Sequence, residues 1–443
     1  MPPFFILLIE TSLVASTQTP LANHNRVLCK NAVGCVYHKK AKEMHNLRAI
    51  LLLTISLLMI IPEAHSEESK EVLSDSSNFV KASLIVSTPT DIIYSSLGHC
   101  AIRMECPSEQ LDYCFSLETN TQPGDYLKFF NGDADAAVRA IPTEMYLAEC
   151  RKEGRGVDQY EFNLTWHEKQ QLWKSLDEEM MKPPHLKFNF LNTNCVMMVV
   201  IMIQNALIDE SINYVEVPSY LTCDNGNGLR HLTRSTPWYQ FIYITLSGAI
   251  CDEYFSMEYR MTPISLPEVF GKAQIKGSNG QRSLFKGTPV SLVRQTNFPS
   301  SSPFTPRLVF SILLLLVILI TWCEWKRGCK HTARITDTIL LALEFIIGVL
   351  LCYTTLATSL FAAHWNWYLI PCNPLPLLLL LLFGKHKNFY KIYLLYTIIL
   401  IAFIIATPLS SQLDIDHQLI TAMFATRTAS KYLKHKKINA LPK

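Results

Sequence analysis

Residues 308–322 read LVFSILLLLVILITW, a nearly unbroken apolar run of the kind that crosses a bilayer as a helix. Three more follow at Thr336–Ser359, Trp367–Phe383 and Tyr390–Pro408. Lys326, Arg327, Lys330 and Arg334 separate the first two, and Lys385, Lys387 and Lys391 separate the last two. Loops rich in Lys and Arg stay in the cytoplasm, so both pairs read as hairpins that open inward. The loop Phe361–Asn366 then faces outward. Four spans would leave Lys431, Lys434, Lys436, Lys437 and Lys443 outside, so a fifth, weaker span is expected at about Ile415–Leu433. Arg427 within it is costly unless it snorkels or faces the bundle. The bundle is expected over 307–433, with four to five helices and a basic cytoplasmic tail at 434–443.

Upstream of the bundle the composition changes. Residues 276–306 are rich in Ser, Gly, Pro and Gln and read as a linker, and residues 67–275 read as a water-soluble domain. Before that domain, Met44 opens a basic segment, an apolar run from Ala49 to Pro62 and Ala64-His65-Ser66, which together read as an export signal at 44–66, with a first transmembrane helix behind a long leader as the alternative. Residues 1–43 precede a complete signal and read as an over-extended start. The soluble domain is therefore expected outside the cytoplasm. A formal net charge of +3 over 443 residues argues against a nucleic-acid partner.

Within the soluble domain, Ala82–Ser87, Tyr113–Leu117 and Gly156–Leu164 have strand character. Thr165–Met181 is an amphipathic helix with Thr165 and Glu168 placed as a capping box. Asn194–Ile208 is apolar nearly all round and reads as a buried helix. Strands followed by helices make the class α+β.

Of 13 cysteines, seven lie in this domain, so at least one is left unpaired even where disulfides can form. Cys195 stands out because it opens the apolar helix, where the positive end of the helix dipole favours a thiolate; an ordinary core thiol is the alternative. A nucleophilic thiol needs a base. The candidates are His99, His167, His185 and His231, and His99 follows Gly98, which permits close approach of another group. Strand alternation puts Cys100 on the face opposite His99. No CxxC or HxxxH spacing suggests a metal, and no cofactor is implied.

These residues carry a resemblance. YSSLGHCAIR (94–103), GRGVDQYEFNLT (154–165), FNFLNTNCV (188–196) and TPWYQFIYITLSGAICDE (236–253) resemble segments of the papain-like, Lnb-type lipoprotein N-acyltransferases. The C-terminal helices, including HWNWYLIPCNPLPLL from His364, resemble the five-helix membrane unit of that family. The resemblance implies a circularly permuted papain-like (NlpC/P60-like) domain followed by an α-helical transmembrane bundle, with His99 and Cys195 as catalytic pair. Asn194, Arg103 and Asp112 are supporting candidates, Asp112 for orienting the imidazole where Phe115-Ser116-Leu117 departs from the family's Asn-Tyr-Gly. His364 and Asn366, at headgroup depth, are candidates for lipid access.

Three functions are compatible with these features. In the first, an inner-membrane acyltransferase takes a chain from a phospholipid through a Cys thioester to the α-amino group of a lipoprotein's diacylglyceryl-cysteine. The second is a membrane-anchored Cys-His amidase or peptidase acting on cell-wall peptides in the periplasm. A disulfide-stapled receptor with a merely buried Cys195 is the third.

Overall fold

The computed structural model describes residues 80–439 apart from 92–94, 120–125, 184–185, 279, 299–301 and 385–388. The export signal at 44–66, the leader at 1–43 and His185 lie outside the described residues. The soluble part is built on strands β1 (Lys81–Ser87), β2 (His99–Cys106), β3 (Leu111–Thr119), β4 (Asp135–Pro142), β5 (Val157–Glu161), β6 (Leu186–Lys187), β7 (Ser211–Tyr214), β8 (Ala273–Gly277), β9 (Gly280–Ser283) and β10 (Val290–Val293). One antiparallel sheet runs in the order β10-β5-β1-β2-β3-β4-β6, and β7-β8-β9 form a second. Helices α1 (Tyr126–Asn131), α2 (Thr143–Glu153), α3 (Trp166–Met181), α4 (Cys195–Ala206), α5 (Asn225–Leu232), α6 (Pro237–Leu246) and α7 (Leu266–Lys272) are interleaved with the strands. The class is α+β.

The sequence KASLIVS explains why β1 is central: it is apolar or small on both faces, and residues 82–87 are all buried. Ala82, Leu84 and Val86 join Cys100, Ile102 and Met104 of β2 against Leu172 and Leu176 of α3 and Val196, Val199 and Ile203 of α4. On the other face, Ile85, Ala101 and Cys114 meet Tyr146, Leu147 and Cys150 of α2. Each large side chain fully buried this way contributes about 1.5–3 kcal/mol. The capping box opens α3 as its sequence predicts: Thr165 N–H donates to Glu168 Oε2 at 2.7 Å, and Glu168 N–H to Thr165 Oγ1 at 3.4 Å.

The stretch read as a linker needs correction. Residues 276–306 hold β9 and β10, and β10 pairs with β5 to complete one side of the main sheet. Gly277 and Gly280 face each other at the end of the β8–β9 pair, and the short apolar pattern of Val290–Val293 finds a partner strand that is distant in sequence.

The bundle consists of α8 (Pro306–Arg327), α9 (Lys330–Leu356), α10 (Leu375–Phe383), α11 (Tyr390–Ala406) and α12 (Ile415–Asn439). Among the described residues, α8, α9 and the stretch Tyr390–Leu409 are long and apolar enough to cross a membrane by themselves. The third expected span, Trp367–Phe383, is α-helical only from Leu375, after a short 3-10 turn at Trp367–Leu369. Pro371 and Pro374 remove backbone donors, and Asn373 Oδ1 instead accepts the Leu375 N–H at 3.1 Å to start α10. The irregular backbone before it has its polar groups met inside the protein: Tyr396 OH donates to Pro371 O at 3.1 Å, and Trp367 N–H to Gln412 Oε1 at 3.0 Å.

The weak fifth segment packs along both α8 and α11. It extends to Asn439, so much of the expected tail at 434–443 is helical. Arg427 faces inward at 4% exposure. Its Nε donates to Asp337 Oδ1 at 2.7 Å, one terminal nitrogen to Thr321 Oγ1 at 2.8 Å, and the other lies 3.0 Å from Glu324 Oε2. Two acids on neighbouring helices thus make a buried arginine tolerable in α12.

Candidate active site

Two sequence features place Cys195. Asn194, in extended conformation, is the N-cap of α4, and its Oδ1 accepts the Met197 N–H at 2.9 Å. Its Nδ2 donates to Phe190 O at 3.0 Å, which ties the cap to the preceding loop. That loop is closed by Asn189 and Thr193, whose backbones exchange bonds of 3.0 and 3.2 Å. Cys195 is the first residue of the helix and half-buried, with its sulfur where the dipole is most positive. Asn194 therefore spends both ends of its amide on local structure.

His99 enters from β2. Gly98 adopts φ +77°, and a Cβ there would lie 2.5 Å from Ser87 O, so only glycine lets β2 begin against β1 at this point. The close approach is to the Ser87 carbonyl, not to a partner of the imidazole. His99 Nε2 lies 2.6 Å from Ser116 Oγ and 3.5 Å from Glu118 Oε1. Alternation along β3 puts these two on one face, while Phe115 and Leu117 turn into the core. Cys195 is in hydrogen-bond contact with the same imidazole.

The electrostatics follow from this packing. Cys195 is held well below the ordinary thiol range, first by the Cys100 thiol that hydrogen-bonds to it, then by the His99 charge and the Cys100 backbone N–H; burial opposes these. Burial likewise disfavours the charged form of His99, but the Cys195 thiolate and the Glu118 carboxylate outweigh it and push the imidazole up to about 10. Burial acts against the Glu118 carboxylate, yet the bond to His99 pulls it below the usual range. Cys100 is pushed up by burial and by the neighbouring Cys195 sulfur. These contacts together favour a thiolate on Cys195 beside a protonated His99, an arrangement suited to attack on a carbonyl carbon and protonation of a leaving group.

The other expected residues lie elsewhere. Asp112 takes Arg103 in a bidentate pair at 2.7 and 2.7 Å and Thr143 Oγ1 at 2.6 Å. It pairs across from Glu105, six residues along β2 from His99, roughly 20 Å away. Neither Asp112 nor Arg103 orients the imidazole; that position belongs to Ser116 and Glu118. Cys100 also departs from its expected remoteness, because the α4 terminus lies over the start of β2. Asn366 is buried: its Nδ2 donates to Thr245 O at 2.8 Å, and its Oδ1 accepts from Tyr368 N–H at 2.9 Å and Gln412 Nε2 at 2.6 Å. His364 O accepts the Ala249 N–H at 3.2 Å, and a Cβ on Gly248 would meet it at 1.7 Å. These contacts join the soluble domain to the bundle and occupy the Asn366 amide, while the half-buried His364 ring lies 3.4 Å from Thr358 O. His167 is exposed on α3 against Trp166, and His231 stacks on Tyr220. The described cysteines of the soluble domain are all free thiols.

Ser116 and Glu118 were missed by sequence reasoning. The available signal was the alternation Asp112-Cys114-Ser116-Glu118 along the strand, which marks one face as partly polar against Phe115 and Leu117 on the other.

No curated protein and no solved structure matches the chain. Residues 71–224 match the family model for the Lnb N-terminal periplasmic domain, and residues 298–438 match that for the Lnb transmembrane domain. The first match contains His99, Ser116, Glu118 and Cys195; the second contains all five bundle helices. Together they cover more than half of the sequence in the order that the structure displays, and the chain belongs to the Lnb family, as a lipoprotein-modifying membrane enzyme with a periplasmic domain.

Proposed function

We propose that the protein is a lipoprotein N-acyltransferase of the inner membrane that works through a thioester on Cys195. The Cys195 thiolate attacks the ester carbonyl carbon of a phospholipid acyl chain. The carbon–oxygen bond breaks, and the lysophospholipid oxygen leaves with the proton of the His99 imidazolium. Neutral His99 then accepts a proton from the α-amino group of a lipoprotein's diacylglyceryl-cysteine as that nitrogen attacks the thioester. An amide forms and the thiolate–imidazolium pair returns. In this reading the oxyanion is stabilised by the Cys100 backbone N–H with the Cys195 and Val196 N–H groups, since Asn194 already takes the Met197 N–H.

The observation that carries this reading is the contact of the Cys195 sulfur with both His99 and the Cys100 N–H in a domain locked onto a membrane bundle. Asp252 takes the Ser411 N–H at 2.6 Å and Ser410 Oγ at 2.8 Å, and Ser411 Oγ donates to Cys251 O at 2.6 Å. Such a joint suits substrates that stay in the bilayer better than soluble peptides. The test is intact-mass analysis of protein purified with phospholipid. A fatty-acyl adduct on Cys195 is expected, absent in Cys195→Ser and in His99→Ala. Full acylation of lipoproteins in cells carrying only Cys195→Ser would refute the covalent route.

A further inference from the structure

The acyl chain that becomes attached to Cys195 must lie against some surface between the bilayer and the sulfur. Phe190 sits at the tip of the tight Asn189–Thr193 loop, five residues before Cys195, and is 51% exposed. Its ring packs edge-on against Phe188 at 5.1 Å and against Phe129 of α1 at 5.6 Å, and Phe129 stacks on Phe188 at 5.2 Å. The three rings hold one another, so the exposed face of Phe190 is fixed rather than free to fold inward.

The same cluster is seated on the membrane bundle. Two residues beyond Phe129, Asn131 Oδ1 accepts Tyr353 OH at 2.5 Å, and Asn131 O accepts the Ser359 N–H at 2.9 Å and Ser359 Oγ at 2.7 Å. Gly132 is glycine for this contact: it has φ +75°, and a Cβ would fall 2.8 Å from Ser359 Oγ and 3.1 Å from Leu360 Cδ2. Leu356, in the last turn of α9, is 81% exposed. Exposed Leu356 at the outer end of α9, Leu360 against Gly132, and the Phe129–Phe190 ring contact are thus the apolar groups along this seat, and Phe190 belongs to the loop that delivers the nucleophile.

We infer that these groups form a strip that is the binding surface for the acyl chain of the donor phospholipid, with Phe190 as its contact nearest the sulfur. The inference rests on the thioester reading above. The donor chain is the occupant because the covalent step places its carbonyl carbon on Cys195 itself, so its methylenes must lie beside the helix start. The acceptor need bring only its amine to that point. Continuity with the α9 docking surface lets the chain reach the site without crossing water, which matters because every methylene exposed to water is unfavourable.

The test uses the full chain in vesicles of a palmitoyl-oleoyl phospholipid and follows the acyl adduct on Cys195 by intact mass. Phe190→Ser should acquire the long-chain adduct about tenfold more slowly, the scale of one lost aromatic–methylene contact surface. Acylation by a water-soluble butyryl thioester and alkylation by a small thiol reagent should stay within about twofold, and Phe190→Leu should restore most of the long-chain rate. An equal loss with the butyryl thioester would mean that Phe190 acts on the loop and not on the chain. An unchanged long-chain rate would overturn the strip, as would normal adduct formation with slowed transfer to the lipoprotein, which would assign it to the acceptor. Lack of any adduct on the unaltered protein would instead refute the thioester reading, and the strip with it.

Discussion

Replacing Glu118 by Gln keeps the side chain's shape and removes one charge 3.5 Å from His99 Nε2. Two unit charges at that distance interact by about 1 kcal/mol in water and about 5 kcal/mol at the effective dielectric of a protein surface. The side chains of His99 and Glu118 are 23% and 34% exposed, so screening favours the lower part of that range, about 1–2 kcal/mol. One pKa unit corresponds to 1.36 kcal/mol, so the imidazolium should lose about one unit of its elevation. The direction is clear: an anion beside a cation raises the cation's pKa, and its removal lowers it. Turnover of a short-chain thioester requires protonated His99, so its alkaline limb should fall from near 10 by about one unit. The acid limb, which reports Cys195 protonation, should not rise, because Glu118 is a like charge to the thiolate. Rate-against-pH profiles of both proteins in one detergent decide the matter, and Glu118→Asp should restore the alkaline limb in part. An unshifted alkaline limb in Glu118→Gln would refute the electrostatic role, whatever happened to the rate at neutral pH.

Other consequences are direct. Cys100→Ala removes the thiol donor on Cys195 but keeps the backbone N–H, so the pH midpoint for alkylation of Cys195 should move upward without loss of the thiolate at alkaline pH. Asp337→Ala leaves the Arg427 guanidinium short of its bidentate partner inside the bundle and should cost about 3–5 kcal/mol, read as a lower midpoint of thermal unfolding in detergent. Gly248→Ala drives a methyl group into the His364 carbonyl and should loosen the joint between domain and bundle, seen as faster proteolysis near residue 248 while Ser247→Ala remains resistant.

Some of this protein was legible in the sequence because it depends on local physics. Apolar length specifies α8, α9 and α11, since only a helix can satisfy its backbone in hydrocarbon. Thr165 and Glu168 specify the start of α3, because both cap bonds lie within four residues. Cys195 could be singled out because an N-cap asparagine followed by an apolar run defines a helix start. The rest depends on residues distant in the chain. Val290–Val293 is a strand only because β5 offers an unpaired edge; Ser116 and Glu118 face His99 only because β3 pairs with β2 in one register. Asp112 is as acidic as Glu118, but that register carries it away to Arg103. Asn366 reads as a polar residue at headgroup depth until Thr245 and Gln412, more than 40 residues away on either side, close around its amide. Sequence determined which segments are helical, apolar and chemically equipped, since those properties follow from neighbours a few residues apart. Tertiary pairing decided which carboxylate serves the imidazole and which polar groups are spent on holding the domain to its membrane anchor, since those depend on register and on contacts no local pattern encodes.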